Sequence, residues 1–202
     1  MKLNLEFYKR DSLTVAKDLL GKILVRKIDG VELKARIVEV EAYTGIHDKA
    51  CHTYGGKITP RTEIMFGQAG KLYIYLIYGM YDLVNIVTGE EGDGEAVLIR
   101  GVEPIENLNI ISQNRFSKNY DELTSYQRKN LTNGPGKLTK ALKLNRNDNR
   151  KSLFEEEIYL IDDGYKDFEI ISAPRIGVDY AEEDANLPYR FYIKGNDYVS
   201  VQ

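Results

Sequence analysis

Residues 22–43 read KILVRKI-DG-VELKARIVEVEAY: two β-rich runs, Lys22 to Ile28 and Val31 to Tyr43, joined by Asp29-Gly30. An Asp-Gly pair between alternating apolar runs is a strong hairpin signal, because both turn residues must take positive φ. The same grammar extends outward. Upstream, Asp11 can cap a helix that runs to Leu20 and is closed by Gly21. Downstream, Leu72 to Tyr78 and Leu83 to Thr88 read as a second strand pair around the tip Tyr78-Gly79-Met80-Tyr81. Ala96 to Val102 is a third β region, after the glycine-rich turn GEEGDGE. Helical patterns cover 104–117, about 121–131 and 135–144, and short strands recur at Glu157 to Ile161, Phe168 to Ser172 and Arg190 to Lys194. Strands dominate and helices cluster in the middle, which predicts an antiparallel α+β fold rather than a βαβ one. With no long linker, repeat or low-complexity tract, residues 1–202 are expected to form a single domain.

Of the 202 residues, 43% are hydrophobic and 29% charged, an ordinary globular balance that excludes disordered and fibrous classes. The one cysteine, Cys51, cannot form an internal disulfide, which fits a reducing compartment. The start MKLNLEFYKRD acquires charge too early for a signal peptide. The longest uncharged apolar stretch, Leu72 to Tyr81, is about half of the roughly 20 residues that a membrane helix needs. A soluble, cytoplasmic protein with no membrane partner is expected.

Charge alone misleads. The net of −3 argues against nucleic acid as a partner, whereas fifteen Tyr and no Trp leave a core, an interface or a base-stacking surface equally open. By segment, residues 1–114 carry −2, residues 115–151 carry +7 and residues 152–202 carry −8. That split fits a solvated basic helix, or a polarised molecule with one basic face and an acidic tail turned away from it.

Four stretches carry chemistry. If 36–43 is a strand, Ala35, Ile37, Glu39, Glu41 and Tyr43 share a face, and two carboxylates beside Ile and Tyr are unusual in a core. They fit either solvated acids on an edge strand or a general base in a partly dry pocket. His47-Asp-Lys-Ala-Cys-His52 holds both histidines and the cysteine, but no further Cys or His pair exists to complete a zinc site, so no metal is expected. His52 reads better as a hydrogen-bonding pocket wall. Along the 72–78 strand Tyr73 and Tyr75 face one way, and the tip that follows presents Tyr78, Met80 and Tyr81 to solvent, as a wedge between bases or a protein interface would. Finally, Asn133-Gly-Pro-Gly-Lys137 opens a helix with Lys137, Lys140 and Lys143 three apart. It lacks the spacing of a nucleotide-binding P-loop, so a backbone phosphate suits it better than a bound nucleotide.

The segments RIVEVEAY, DKACHTYGGKITPR, LYIYLIYGMYDLVN, GDGEAVLIRGVEP, GPGKLTKAL and RFYIKG together resemble the alkyladenine (3-methyladenine) DNA glycosylases of the mammalian type, in the form of a compact bacterial member. The resemblance covers nearly the whole chain. It implies a single α+β domain with a curved, mostly antiparallel, partly open barrel-like sheet flanked by helices and a protruding β-hairpin. It also implies a monofunctional hydrolase, without cofactor, that excises alkylated or deaminated purines from double-stranded DNA as a monomer. Residue by residue it makes Glu41 the general base and Arg100 the arginine that holds it, with Tyr43, His52 and Tyr75 the walls around the flipped base. Asn85 becomes the pocket-floor residue that crowds the exocyclic amine of guanine. Tyr78 fills the gap in the stack, Met80 and Tyr81 join it in the groove, and Lys137 meets a phosphate. The loop Gly45 to Lys49 and Asp82 depart from the vertebrate pattern. A non-catalytic binder of distorted DNA or RNA is the alternative, which two unpaired acids beside phosphate disfavour.

Overall fold

The computed structural model describes residues 1–202. Its helices are α1 (Leu5–Tyr8), α2 (Ser12–Leu19), α3 (Leu108–Phe116), α4 (Ser125–Lys129) and α5 (Pro135–Ala141). Its strands are β1 (Ile23–Ile28), β2 (Val31–Tyr43), β3 (Leu72–Ile77), β4 (Tyr81–Thr88), β5 (Glu95–Glu106), β6 (Ile158–Ile161), β7 (Ile170–Ala173) and β8 (Arg190–Ile193). The path β3-β4-β5-β2-β1-β6 is antiparallel throughout, and β8 adds to β2 and β7. The result is an α+β fold around a curled, half-barrel sheet. No helix is long and apolar enough to cross a membrane.

The β1–β2 hairpin forms as expected, pairing Ile28 with Val31 across Asp29 (φ 49°) and Gly30 (φ 80°). The Asp11 side chain caps α2 by accepting from the Thr14 N–H. The edge-strand reading of β2 is overturned, because β2 has neighbours on both sides. One side pairs with β5 along its length, while the other pairs first with β1, up to Arg36, and then with β8 at Glu39 to Glu41. Glu39 and Glu41 lie where the sheet exchanges one neighbour for another.

The register there is broken twice. Ile37 pairs with Val102 and Glu39 with Gly101, leaving Val38 extra on β2; then Val40 pairs with Ile99, leaving Arg100 extra on β5. Such bulges twist the strand and re-aim side chains. Here they bring Arg100 against both acids. A 35-residue core runs through the molecule, including Ile37, Val38, Val40 and Ala42 of β2 together with Ile99 and Val102 of β5.

Two of the expected helices shift. The helix expected over 104–117 starts only at Leu108, because β5 continues through Glu106 opposite Lys34 and the chain turns at Asn107 (φ 60°). Pro104 is tolerated at the irregular Ala35–Pro104 pairing, beside a register shift. The helix expected over 121–131 divides into a 3₁₀ turn, Tyr120–Glu122, and α4, each with its own capping box from Asn119 and Thr124.

Gly101 sits where the C-terminal segment crosses β5: a Cβ built on it would lie 2.6 Å from the Tyr198 carbonyl oxygen. Gly101→Ala is expected to destabilise the fold by about 1–3 kcal/mol, because the obstacle is backbone rather than a flexible side chain. A thermal melt reads this as a midpoint lower by roughly 2–12 °C, and an unchanged midpoint would contradict the close approach.

Candidate active site

A cavity of about 690 Å³ opens between β2, the β3–β4 hairpin, β5, the start of α5 and the stretch Ile176 to Tyr180. Glu41, Tyr43, His52, Tyr75, Tyr78, Tyr81, Arg100 and Lys137 all line it, so eight of the residues singled out by sequence converge on one space.

Glu41 is fully buried. Its Oε1 accepts from the Ile176 N–H at 2.7 Å and pairs with Arg100 Nη1 at 3.2 Å; its Oε2 accepts from the Tyr43 hydroxyl at 2.9 Å. Oε2 therefore keeps capacity for another hydrogen bond. Burial, with Glu41 next to it, raises the Tyr43 hydroxyl well above its ordinary pKa. Tyr43 thus stays a neutral donor to the carboxylate. Glu39, also fully buried, accepts from Arg190 Nη1 at 2.9 Å, Arg100 Nε at 3.3 Å, and the Ser200 N–H and hydroxyl at 2.7 and 2.9 Å. Burial works against the charge of Arg100, but Glu41 and Glu39 outweigh it and its pKa rises.

The aromatic wall is built from β3 and the 48–53 loop. Tyr73 and Tyr75 share a face as the strand period requires, their rings stacked 5.2 Å apart. The His52 ring packs edge-on to Tyr75 at 4.7 Å, and its Nδ1 shares a 2.8 Å hydrogen bond with the Tyr73 hydroxyl. Burial first, then the Arg61 charge, lowers the His52 pKa to about 4. Asn85 is buried and lines a smaller chamber of about 30 Å³ that shares Tyr43, Cys51, His52, Tyr75 and Tyr180 with the main cavity. Its amide N–H donates to the Tyr73 carbonyl at 3.1 Å.

At the hairpin tip Tyr78 takes φ 53° and is 79% exposed, and Met80 is 60% exposed. A left-handed conformation is costly for a bulky residue and is concentrated at functional turns. Tyr81 differs from them, since its ring lies against Gly136 and 4.9 Å from the Lys140 ammonium, anchoring the hairpin to α5. Asp82 is turned away, paired with Arg146 at 3.1 Å.

Six cations of the basic segment fall into two sets. Arg146, Arg150 and Lys151 pair with Asp82, with Glu63, and with Asp148 and Glu157. Arg115, Lys137 and Lys140 line the cavity with no carboxylate partner, Lys137 spending two N–H bonds on the side chains of Asn130 (2.8 Å) and Asn133 (2.9 Å). Arg61 joins them on the lining, 5.9 Å from the Tyr75 ring.

Sequence reasoning did not find Tyr73, Arg61, Arg175, Ile176 or Tyr180 as parts of the site. The acidic tail was expected to face away, yet Ile176 to Tyr180 form a wall of the cavity. What holds them is a fully buried ion pair: Arg175 pairs with Asp48 at 2.5 Å and lies 4.9 Å from the Tyr43 ring, with Ile176 following directly onto Glu41. The departing loop charges are thus each paired within the chain, Asp48 with Arg175 in the interior and Lys49 with Glu182 and Glu183 at the surface. Tyr73 and Arg61 lie inside the motifs quoted above without a mark of their own, and Arg175 shows only as an arginine beside Pro174 in an acidic tail.

A family model described as methylpurine-DNA glycosylase matches residues 6–197. The chain belongs to this family. A protein of Clostridium acetobutylicum is 52% identical over 201 residues, spanning all of this chain and 98% of the relative. One from Clostridium botulinum is 51% identical over 203 residues, with both chains fully covered. Both are provisionally named 3-methyladenine DNA glycosylase. As a member of this family the chain is a hydrolase of N-glycosyl bonds in DNA, an enzyme of base excision repair. A purely non-catalytic binder is set aside.

His52 provides a pH signature. Its folded pKa, about 4, lies below the ordinary 6.5, so the unfolded chain binds the proton more readily. Its contribution is complete above pH 6.5 and is lost as pH falls towards 4, an effect of about 3 kcal/mol at most. Denaturation at pH 7 and pH 4.5 is expected to show a larger acid loss for the wild type than for His52→Asn, whose side chain does not titrate. Equal losses would contradict the buried neutral imidazole.

Proposed function

We propose that this glycosylase, acting as a monomer through a single domain spanning residues 1–202, flips an alkylated or deaminated purine nucleotide out of duplex DNA. The base enters the cavity, and water activated by Glu41 hydrolyses its N-glycosidic bond. The observation that carries this reading is a fully buried carboxylate, held by Arg100, Tyr43 and the Ile176 N–H, on the wall of an aromatic cavity beside an exposed tyrosine hairpin. Every group the reaction needs comes from one chain.

Extrusion costs a few kcal/mol of stacking and pairing, least for a damaged base. Tyr78 and Met80 at the tip replace the lost stacking. Arg61, Arg115, Lys137 and Lys140 hold the phosphates around the displaced nucleotide. The base lies between Tyr43 and the Tyr75–His52 wall, where electron-rich rings favour a cationic purine. Asn85, pinned to the Tyr73 carbonyl, crowds the exocyclic amine of guanine.

Bond breaking develops positive charge on the sugar, which the Glu41 carboxylate stabilises. The electron pair of the C1′–N9 bond goes to the purine. The water oxygen bonds to C1′, and its proton passes to Glu41 Oε2. A 3-methyladenine or 7-methylguanine departs neutral without a proton, because the pair cancels the ring's charge. Hypoxanthine needs a proton to leave, and His52, kept neutral by burial, does not hold one at neutral pH.

Glu41→Gln is expected to slow single-turnover release of 3-methyladenine from duplex DNA by about 10²–10⁴-fold, with binding to an abasic-site analogue little changed. Release at the wild-type rate would remove Glu41 from the base role. On otherwise identical duplexes, 3-methyladenine is expected to leave at least about tenfold faster than hypoxanthine. Equal rates would mean that another group protonates the leaving base.

A further inference from the structure

Glu39 is the second buried carboxylate of β2, and nothing in the reaction above uses it. Its environment is more heavily built than that of Glu41. Arg190 from β8 and Arg100 from β5 both reach Oε1, and the Ser200 hydroxyl joins them there. The Ser200 N–H takes Oε2 at 2.7 Å. Four donors from three distant parts of the chain converge on a group that is never wetted. Structural reasons alone do not require this, because replacing a buried ion cluster by apolar residues is often neutral or stabilising.

The geometry of Arg100 shows what the cluster does. A guanidinium beside a carboxylate ordinarily forms a parallel two-bond fork, with N–O distances near 2.7–2.9 Å. Arg100 makes no such fork. Its Nε faces Glu39 at 3.3 Å, its Nη1 faces Glu41 at 3.2 Å, and its Nη2 stands 3.5 Å from the Ser200 hydroxyl. Both carboxylate contacts are long because one cation is divided between two anions. The division confines Arg100 to Oε1 of Glu41, so that Oε2 meets only the Tyr43 hydroxyl.

We infer that Glu39 is a positioning residue: by holding Arg100 at Nε, it prevents a bidentate Arg100–Glu41 fork and keeps Oε2 of Glu41 open to the attacking water. Without the Glu39 charge, Arg100 rotates onto both oxygens of Glu41, occupies the atom that takes the proton and neutralises the charge that stabilises the sugar. Arg190 and Ser200 serve the same end by fixing Glu39. This inference rests on the proposed role of Glu41.

Three measurements on the full chain test it: single-turnover release of 3-methyladenine, binding to an abasic-site analogue, and the thermal midpoint. Glu39→Gln is expected to slow release by about 10²-fold with analogue binding unchanged. Glu39→Gln/Arg190→Met removes one charge of each sign and keeps the cluster neutral, so it serves if the single variant does not fold. Its midpoint is expected to recover while its release stays slow; recovery of both would make Glu39 merely structural. The deciding comparison is an Arg100→Lys background, since an ammonium cannot form the fork. There the Glu39 substitution is expected to cost less than about twofold. The same fold-loss in both backgrounds overturns the inference while leaving Glu41 as the base; wild-type release by Glu41→Gln overturns the proposed mechanism instead.

Discussion

Two carboxylates buried side by side in the middle strand of a sheet must have their charge met from outside that strand, because an unpaired buried charge is too costly for a fold to carry. That requirement organises the molecule. Arg100 answers it from β5, where a bulge re-aims the side chain, and Arg190 answers it from β8, 151 residues along the chain from Glu39. Ser200 caps Glu39 from a separation of 161 residues, and the Ile176 N–H reaches Glu41 across 135. The last quarter of the chain, strongly acidic overall, is drawn over the sheet by these contacts. The exchange of β1 for β8 beside β2, the close crossing at Gly101 and the cavity wall at Ile176 to Tyr180 all follow from it.

Dryness has a second consequence. The burial that strengthens the Glu39–Arg100–Glu41 cluster also raises the Tyr43, Tyr73 and Tyr75 hydroxyls and lowers His52 to about 4. Apart from the Arg100 guanidinium, the groups around Glu41 are thus neutral hydroxyls, a neutral imidazole and aromatic faces. In the proposed reaction a cationic base gains from these rings, while His52, kept neutral by burial, offers a neutral base no proton. On that reading selectivity and catalysis share one cause, the exclusion of water. The cations without carboxylate partners, Arg61, Arg115, Lys137 and Lys140, line the cavity, and this local concentration of positive charge makes a net charge of −3 no obstacle to DNA.

The parts of the fold legible in sequence are those with local signals. Asp29-Gly30 marks the first hairpin, Asp11 marks α2, and strand alternation places Glu39 with Glu41 and Tyr73 with Tyr75. The run through Pro104 looked helical because ENLNI fits a helix period, while its true partner, Lys34 to Ala35, lies about 70 residues upstream and leaves no local trace. The same holds for the site. Glu41, Tyr75 and Tyr78 stand in dense motifs, whereas Arg175 enters from an irregular, acidic stretch in which only its charge sets it apart, and Arg190 opens a short strand in which nothing local marks it as the partner of Glu39. The pairing of Glu39 with Arg100 was invisible for another reason: a bulge, not the regular strand period, decides where Arg100 points.

The most direct test of the central claim is a crystal structure of the Glu41→Gln enzyme on a duplex holding a single alkylated purine. The expected result is an extrahelical base between Tyr43 and Tyr75, with Tyr78 in the vacated stack and a water between residue 41 and C1′. A lesion still stacked in the duplex, or a flipped base whose C1′ has no path to residue 41, would contradict it.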